Sequence, residues 1–147
     1  MEEIITKSIQ QTQHVAEELA GSIQPGEIIT LSGTLGAGKT TFAQGLAKGL
    51  GIVRRIISPT FVIIRTYELK SKTKNVKTFY HIDLYRLEDE KSLTGLGLEE
   101  ILQEKDAVTL IEWPEKMGRL LPQKRWDIKI EALGENDRKI TVKKFSI

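Results

Sequence analysis

No cysteine occurs among the 147 residues. Its absence excludes disulfides and thiolate metal sites, and it fits a reducing compartment. Long apolar runs are also missing, since no stretch approaches the ~18 residues of a membrane span. The start, Met1 to Lys7, has two acids and no apolar core, so a secretory signal is not expected there. A cytoplasmic protein without membrane association is the expectation. Excess charge is lacking too: a formal net charge of +2 is too small to announce nucleic-acid binding by itself. With 39% hydrophobic and 29% charged residues, the chain has the composition and length of one globular domain with one substantial core.

What is present is more specific. Gly33-Thr34-Leu35-Gly36-Ala37-Gly38-Lys39-Thr40 is a complete Walker A motif, preceded by the apolar run Ile28 to Leu31 and followed by a helix-compatible stretch from Thr41 to Lys48. Strand, glycine loop and helix in that order let consecutive backbone N–H groups converge on one centre, where the positive end of the helix dipole adds to them. Such a loop suits a nucleoside polyphosphate. Lys39 can reach the β- and γ-phosphates as a point charge, and the Thr40 hydroxyl is placed to ligate magnesium. Gly33, Leu35, Gly36, Ala37, Gly38, Lys39, Thr40 and Thr41 are therefore the candidate phosphate-binding residues.

Around this unit the pattern is mixed. Ser8 followed by Gln11 reads as a capping box for a helix from about Ile9 to Ala20, with Thr12, Val15, Ala16 and Leu19 on one face. Pro25-Gly26 turns into the P-loop strand, whose helix ends near Gly49 to Gly51. Phe61 to Leu69 and Val76 to Leu84 alternate as strands around the polar turn Lys70 to Asn75, which predicts an antiparallel hairpin. Ser92 to Gln103 is helix-compatible despite Gly95 and Gly97. Ala107 to Ile111 is a buried strand ending in Glu112-Trp113-Pro114, and Trp126 to Ala132 with Arg138 to Phe145 forms a second hairpin. The fold class expected is α/β: a P-loop NTPase-like mixed sheet flanked by helices, with antiparallel hairpin insertions, in a single domain over residues 1–147.

A P-loop needs an acid at the end of a neighbouring strand to hold magnesium or its water. Glu112 has that Walker B position, and the alternative is a surface Glu after any buried strand. Asp83, in His81-Ile82-Asp83-Leu84-Tyr85-Arg86, shares a strand face with His81 and Tyr85. It can orient the attacking water or contact magnesium through water, or else cap a turn or pair with Arg86. His81 is expected to be a packed histidine and His14 a solvated or packed one. Trp113 can wall the pocket, stack on the base or belong to the core. Asp83, Glu112 and Lys39 are thus the candidate catalytic residues, and Thr40 with Glu112 the candidate metal ligands. The base signature of GTPases, Asn/Thr-Lys-x-Asp, is not found: Thr73-Lys74-Asn75-Val76 lacks its acid and Gln103-Glu104-Lys105-Asp106 its first residue. ATP is favoured over GTP. The basic runs Arg54-Arg55, Lys70/Lys72/Lys74/Lys77 and Lys124-Arg125 read as solvated faces, with an RNA or acidic-protein patch as the alternative.

Several motifs then combine in a familiar order: Gly33 to Thr41, Ser58-Pro59-Thr60-Phe61, His81-Ile82-Asp83-Leu84-Tyr85-Arg86-Leu87 and Ile111-Glu112-Trp113-Pro114. Over residues 8 to 145 the chain resembles the TsaE (YjeE) family, the small bacterial ATPase required for threonylcarbamoyladenosine synthesis on tRNA. The resemblance implies an Mg-dependent ATPase working with the two subunits of the threonylcarbamoyl transferase. There, nucleotide turnover resets the complex between modification cycles rather than making the modified base, and tRNA contact is either direct or through the complex. It also implies that Thr40 and Glu112 hold magnesium, that Asp83 supports hydrolysis, that Ser58 to Thr60 responds to nucleotide, and that Thr12 and Trp113 lie near the base. Thr34 stands where the family usually has Asp; backbone groups bind phosphate at such positions, so affinity is expected to survive. A small-molecule kinase with Arg119 to Arg125 as a basic lid, and a nucleotide-dependent binding module without useful turnover, are the competing functions.

Overall fold

The computed structural model describes residues 1–34, 36–52, 63–69, 75–88 and 90–146. Seven strands, β1 (Glu2–Thr6), β2 (Ile28–Ser32), β3 (Ile64–Glu68), β4 (Thr78–Asp83), β5 (Ala107–Glu112), β6 (Arg125–Ala132) and β7 (Arg138–Phe145), form one sheet in the order β1-β7-β6-β2-β5-β4-β3. The centre is parallel, β2 lying between β6 and β5 and β4 beside β5, while both margins are antiparallel: β3 on β4, and β6, β7 and β1 in succession. The mixed sheet with hairpins is thus as the alternation of the sequence predicts.

Parity divides the apolar residues between two layers. Ile29 and Leu31 of β2, Val108 and Leu110 of β5, and Ile128 and Ile130 of β6 face the helix pair α1 (Ile9–Ala20) and α2 (Lys39–Gly49), where Ala16, Ala20, Phe42, Ala43 and Leu46 are fully buried. On the opposite face, Ile28, Ile82 and Ile111 pack under Leu93, Leu98 and Met117. The two helices meet closely because Gly49 has no side chain: a Cβ there would stand 2.5 Å from that of Ala20 and 2.7 Å from the carbonyl oxygen of Glu17. α2 is therefore pinned to its neighbour along its length, and its first turn is held in place.

Two expectations need correction or refinement, and one strand is additional. No helix spans Ser92 to Gln103; a 3-10 turn at Glu90–Leu93 and the short α3 (Leu98–Leu102) stand there instead. Gly95 (φ 88°) and Gly97 (φ 74°) adopt left-handed backbone that breaks a continuous helix. Strand β1 leaves no signal in the sequence, since Glu2-Glu3-Ile4-Ile5-Thr6 is short and does not alternate apolar with polar residues; pairing with β7 creates it. The capping box is shifted by one residue. Ser8 Oγ accepts from the Gln11 N–H at 3.1 Å, but Gln11 Oε1 accepts from the N–H of Lys7 at 2.6 Å rather than from that of Ser8. Phe61, Val62 and most of the turn Lys70 to Asn75 lie outside the described residues, as do Arg54-Arg55 and Ser58 to Thr60.

Candidate functional site

β2, β4 and β5 run parallel and end at the same edge of the sheet, where ligands of open α/β sheets bind. β2 delivers Ser32 to the glycine loop. Gly33 has φ 153° and lies so close to β6 that a Cβ would meet the carbonyl oxygen of Ile130 at 2.6 Å, so no larger residue fits. Gly38, at φ 104°, is the N-cap of α2 and provides no side-chain cap. The first turn of α2 consequently begins with backbone N–H groups that have no intrahelical acceptor, the arrangement that receives an anion. Leu35 lies outside the described residues; Gly36, Ala37, Gly38, Lys39, Thr40 and Thr41 form the rest of the loop and the helix start, with Ala37 buried and Thr40 exposed.

Lys39 is the anomaly of this site. It is only 7% exposed, and its Nζ has no hydrogen-bond partner among the described residues. Burial pulls its pKa below the ordinary lysine value, opposed by the charges of Glu112, Asp83 and Glu115. A desolvated ammonium without an acceptor is costly unless a ligand completes it, and phosphate oxygens are the acceptors this position suits.

The acids come from two adjacent strands. Asp83 of β4 stands opposite Glu112 of β5 in the parallel register, and by parity both share the sheet face of Val108 and Leu110 that carries α2. Glu112, 3% exposed, is held from one side: His81 Nε2 lies 2.5 Å from its Oε2, leaving Oε1 for another contact. His81 is fully buried and stacks on Phe79, so it is packed, as expected, and also orients Glu112. Asp83 Oδ1 accepts the N–H of Tyr85 at 2.9 Å, the turn-capping contact open to it from the sequence. Its pKa is raised, first by burial and then by the Glu112 charge, with the Tyr85 bond, His81 and Lys39 acting the other way. Two carboxylates and the Thr40 hydroxyl are hard oxygen donors, a set that fits magnesium shared with phosphate oxygens.

Asp83→Asn is accordingly expected to stabilise the nucleotide-free protein by about 1 kcal/mol, roughly 2 to 4 °C in Tm. Asparagine keeps the acceptor for the Tyr85 N–H and removes a desolvated charge beside Glu112. Because the folded pKa is raised, the folded state binds the proton more readily, and stability is lost as pH rises from the ordinary aspartate value through the raised one. The advantage of the variant should therefore grow with pH across that window in paired thermal melts. An equal or lower Tm for the variant above the window would contradict the assignment of Asp83 as a desolvated anion.

Trp113 follows Glu112 in left-handed backbone (φ 61°, ψ 51°), a conformation that costs a non-glycine residue on the order of 1 kcal/mol. Pro114 starts a 3-10 segment directly after it. The turn lays the indole ring 3.9 Å from Lys39 Nζ and 5.1 Å from the Tyr85 ring, so Trp113 covers the Lys39 ammonium. Thr12 is buried, its hydroxyl 2.6 Å from that of Thr6, and it lines a small cavity beside the start of α2 with Ile9, Gly38, Thr41, Asn136 and Arg138. Trp113 instead borders an open cavity of about 610 Å³ with Glu115, Lys129 and Glu131.

The sequence profile described as "Threonylcarbamoyl adenosine biosynthesis protein TsaE" matches residues 6–140. The chain belongs to the TsaE family. Among curated TsaE proteins, each carrying the name tRNA threonylcarbamoyladenosine biosynthesis protein TsaE, that of Bacillus subtilis (strain 168) is 43% identical over 136 residues, covering 92% of this chain and 81% of the relative. That of Treponema pallidum (strain Nichols) is 34% identical over 138 residues, covering 94% and 97%. The crystal structure of YdiB from Bacillus subtilis superposes with a TM-score of 0.80 at 36% identity, over 99% of this chain and 86% of that one. TsaE membership accounts for the order of motifs along the sheet edge. No described helix is long and apolar enough to cross a membrane.

Two neighbours of the site in this TsaE chain were not legible beforehand. The His81 to Glu112 contact joins residues far apart in sequence through strand register. Arg138 reaches from the start of β7 to the glycine loop, its Nε donating to the Ala37 carbonyl oxygen at 2.7 Å. The only sequence signal was its place after the turn Gly134 to Asp137.

Proposed function

We propose that the protein binds Mg-ATP at the glycine loop and hydrolyses it, weakly alone and faster when joined to the two subunits of the threonylcarbamoyl transferase, so that turnover resets the tRNA-modifying complex between cycles. The buried, unpartnered Lys39 ammonium beside the Asp83 and Glu112 carboxylates carries this reading. The backbone N–H groups at the start of α2 bind the phosphate chain, and Lys39 leaves the Trp113 ring to meet the β- and γ-oxygens. Thr40 and Glu112 would hold magnesium, which would supply positive charge to offset that of the phosphates. Asp83, with Oδ1 committed to Tyr85, uses Oδ2 to orient the attacking water. The adenine lies toward Thr12, with Trp113 on the phosphate side. Work beside a tRNA-modifying enzyme fits a cytoplasmic protein.

The weak activity expected of the isolated chain follows from incomplete charge stabilisation. Among the described residues lining the wide cavity the one cation is Lys129, which is paired with Glu131 at 3.7 Å. Part of the transition-state charge is then left for a partner to offset. Incubation with γ-labelled ATP in the presence of the transferase subunits tests the proposal. Free phosphate is the expected product; a phosphorylated small acceptor would indicate a kinase, and intact ATP a binding module.

Trp113 provides an optical check. The chain has two tryptophans, and the buried Trp126 Nε1 has no partner among the described residues, so Trp126→Phe should be tolerated. In that variant, saturating Mg-ATP should change the indole emission as Lys39 leaves the ring, and AMP should not. Emission unaltered by bound ATP would show that Lys39 stays where it is.

A further inference from the structure

The glycine loop is braced from outside by the β6–β7 turn. Arg138 Nε donates to the Ala37 carbonyl oxygen at 2.7 Å, and Nη2 lies 3.5 Å from that of Gly36. Nη1 is spent on the turn itself, donating to the carbonyl oxygens of Gly134 at 3.0 Å, Glu135 at 3.2 Å and Asp137 at 2.9 Å. The turn is in turn tied to the entry of α1, for Lys7 Nζ lies 3.1 Å from Asp137 Oδ2. The guanidinium thus bridges a fixed hairpin and the loop that receives phosphate, and it is half-buried in doing so.

The direction of one peptide plane depends on this contact. In a trans peptide the C=O and the following N–H point in opposite directions. Holding the Ala37 carbonyl outward on Arg138 therefore turns the Gly38 N–H inward, toward the phosphate position. Ala37 cannot supply that donor, because its own N–H is committed to the Thr34 carbonyl oxygen at 3.1 Å. Gly38, at φ 104°, accepts either sign of φ, so the sequence on its C-terminal side does not fix the plane. If the plane flipped, a carbonyl dipole would face the anion.

Resting on the nucleotide site proposed above, we propose that Arg138 is a positioning residue that locks the Ala37–Gly38 peptide with its N–H toward the phosphates, and so sets affinity for the polyphosphate rather than for the nucleoside. The test uses the full chain with Mg-ATP, Mg-ADP, inorganic tripolyphosphate and adenosine as calorimetric ligands. Arg138→Ala should weaken the three polyphosphate ligands about tenfold or more, the loss of one charge-assisted hydrogen bond. Adenosine binding should change less than tripolyphosphate binding, although Arg138 also lines the Thr12 cavity. Millimolar guanidinium should restore part of the tripolyphosphate affinity of Arg138→Ala, and equal ammonium should not. Arg138→Lys, a point charge without the fork, should recover less than the guanidinium ion does.

Guanidinium rescue separates positioning from a general loss of fold, which the free ion cannot repair. Polyphosphate affinity of Arg138→Ala within threefold of the parent, or a loss that guanidinium does not touch, would overturn the proposal while leaving the nucleotide site standing. A parent chain that binds no polyphosphate would remove both.

Discussion

Lys39→Ala is expected to weaken Mg-ATP and Mg-ADP binding by about 1.5 to 3 kcal/mol, roughly tenfold to 150-fold, and at the same time to stabilise the nucleotide-free protein. The two effects have opposite signs for one reason. Without ligand the ammonium is buried over the Trp113 ring with no hydrogen-bond acceptor among the described residues, whereas with ligand it is expected to meet phosphate oxygens. The pH dependence follows. Because burial lowers the folded pKa of Lys39 below 10.5, the unfolded chain holds the proton more readily between the lowered value and 10.5. Stability of the nucleotide-free protein, relative to Lys39→Ala, should therefore rise with pH through that window. ATP affinity should fall through it, since the neutral amine is a poorer partner. Calorimetry at several pH values, paired with thermal melts, measures both, and unchanged ATP affinity in Lys39→Ala would leave the glycine loop without its main charge.

Glu112→Gln should act on turnover instead. Glutamine has nearly the same shape and keeps an oxygen able to accept from His81, so the buried network survives. What disappears is the anion that would hold magnesium. A loss of about 10²-fold in the rate of the hydrolysis step, with nucleotide Kd changed only a few-fold, is expected in single-turnover phosphate release with partners present. His81→Ala should resemble it more mildly, because an unheld Glu112 carboxylate loses orientation rather than charge. A Glu112→Gln protein that hydrolyses ATP normally would move the metal to another acid.

Much of the architecture was legible because it is local. The alternation of Trp126 to Ala132 and Arg138 to Phe145 gave a hairpin within a residue of its observed bounds, and the run Ala107 to Ile111 is a fully buried central strand. β-strand β1 was not legible, since five residues with two acids become a strand only when β7 offers an edge. The segment Ser92 to Gln103 was misread because apolar spacing outweighed Gly95 and Gly97, whose left-handed backbone decides the outcome.

The site divides in the same way. Walker A chemistry is written in consecutive residues, and the position of Glu112 after a buried strand marks an acid at the sheet edge. Its contact with His81 depends on a parallel register, and the Arg138 brace on a hairpin folding back over the loop; neither leaves a short-range pattern. The backbone turn at Trp113, which no residue-type rule anticipates, sends its ring over Lys39.

The most direct test of the central claim is tRNA modification over several turnovers by the reconstituted threonylcarbamoyl transferase, followed with and without this chain and with phosphate release read in parallel. With the chain and ATP, modified tRNA should accumulate well beyond one equivalent of enzyme while phosphate release accelerates over that of the chain alone. With Glu112→Gln, modification should stop near a single equivalent. Multiple-turnover modification in the absence of the chain, together with phosphate release that ignores the transferase subunits, would contradict the account.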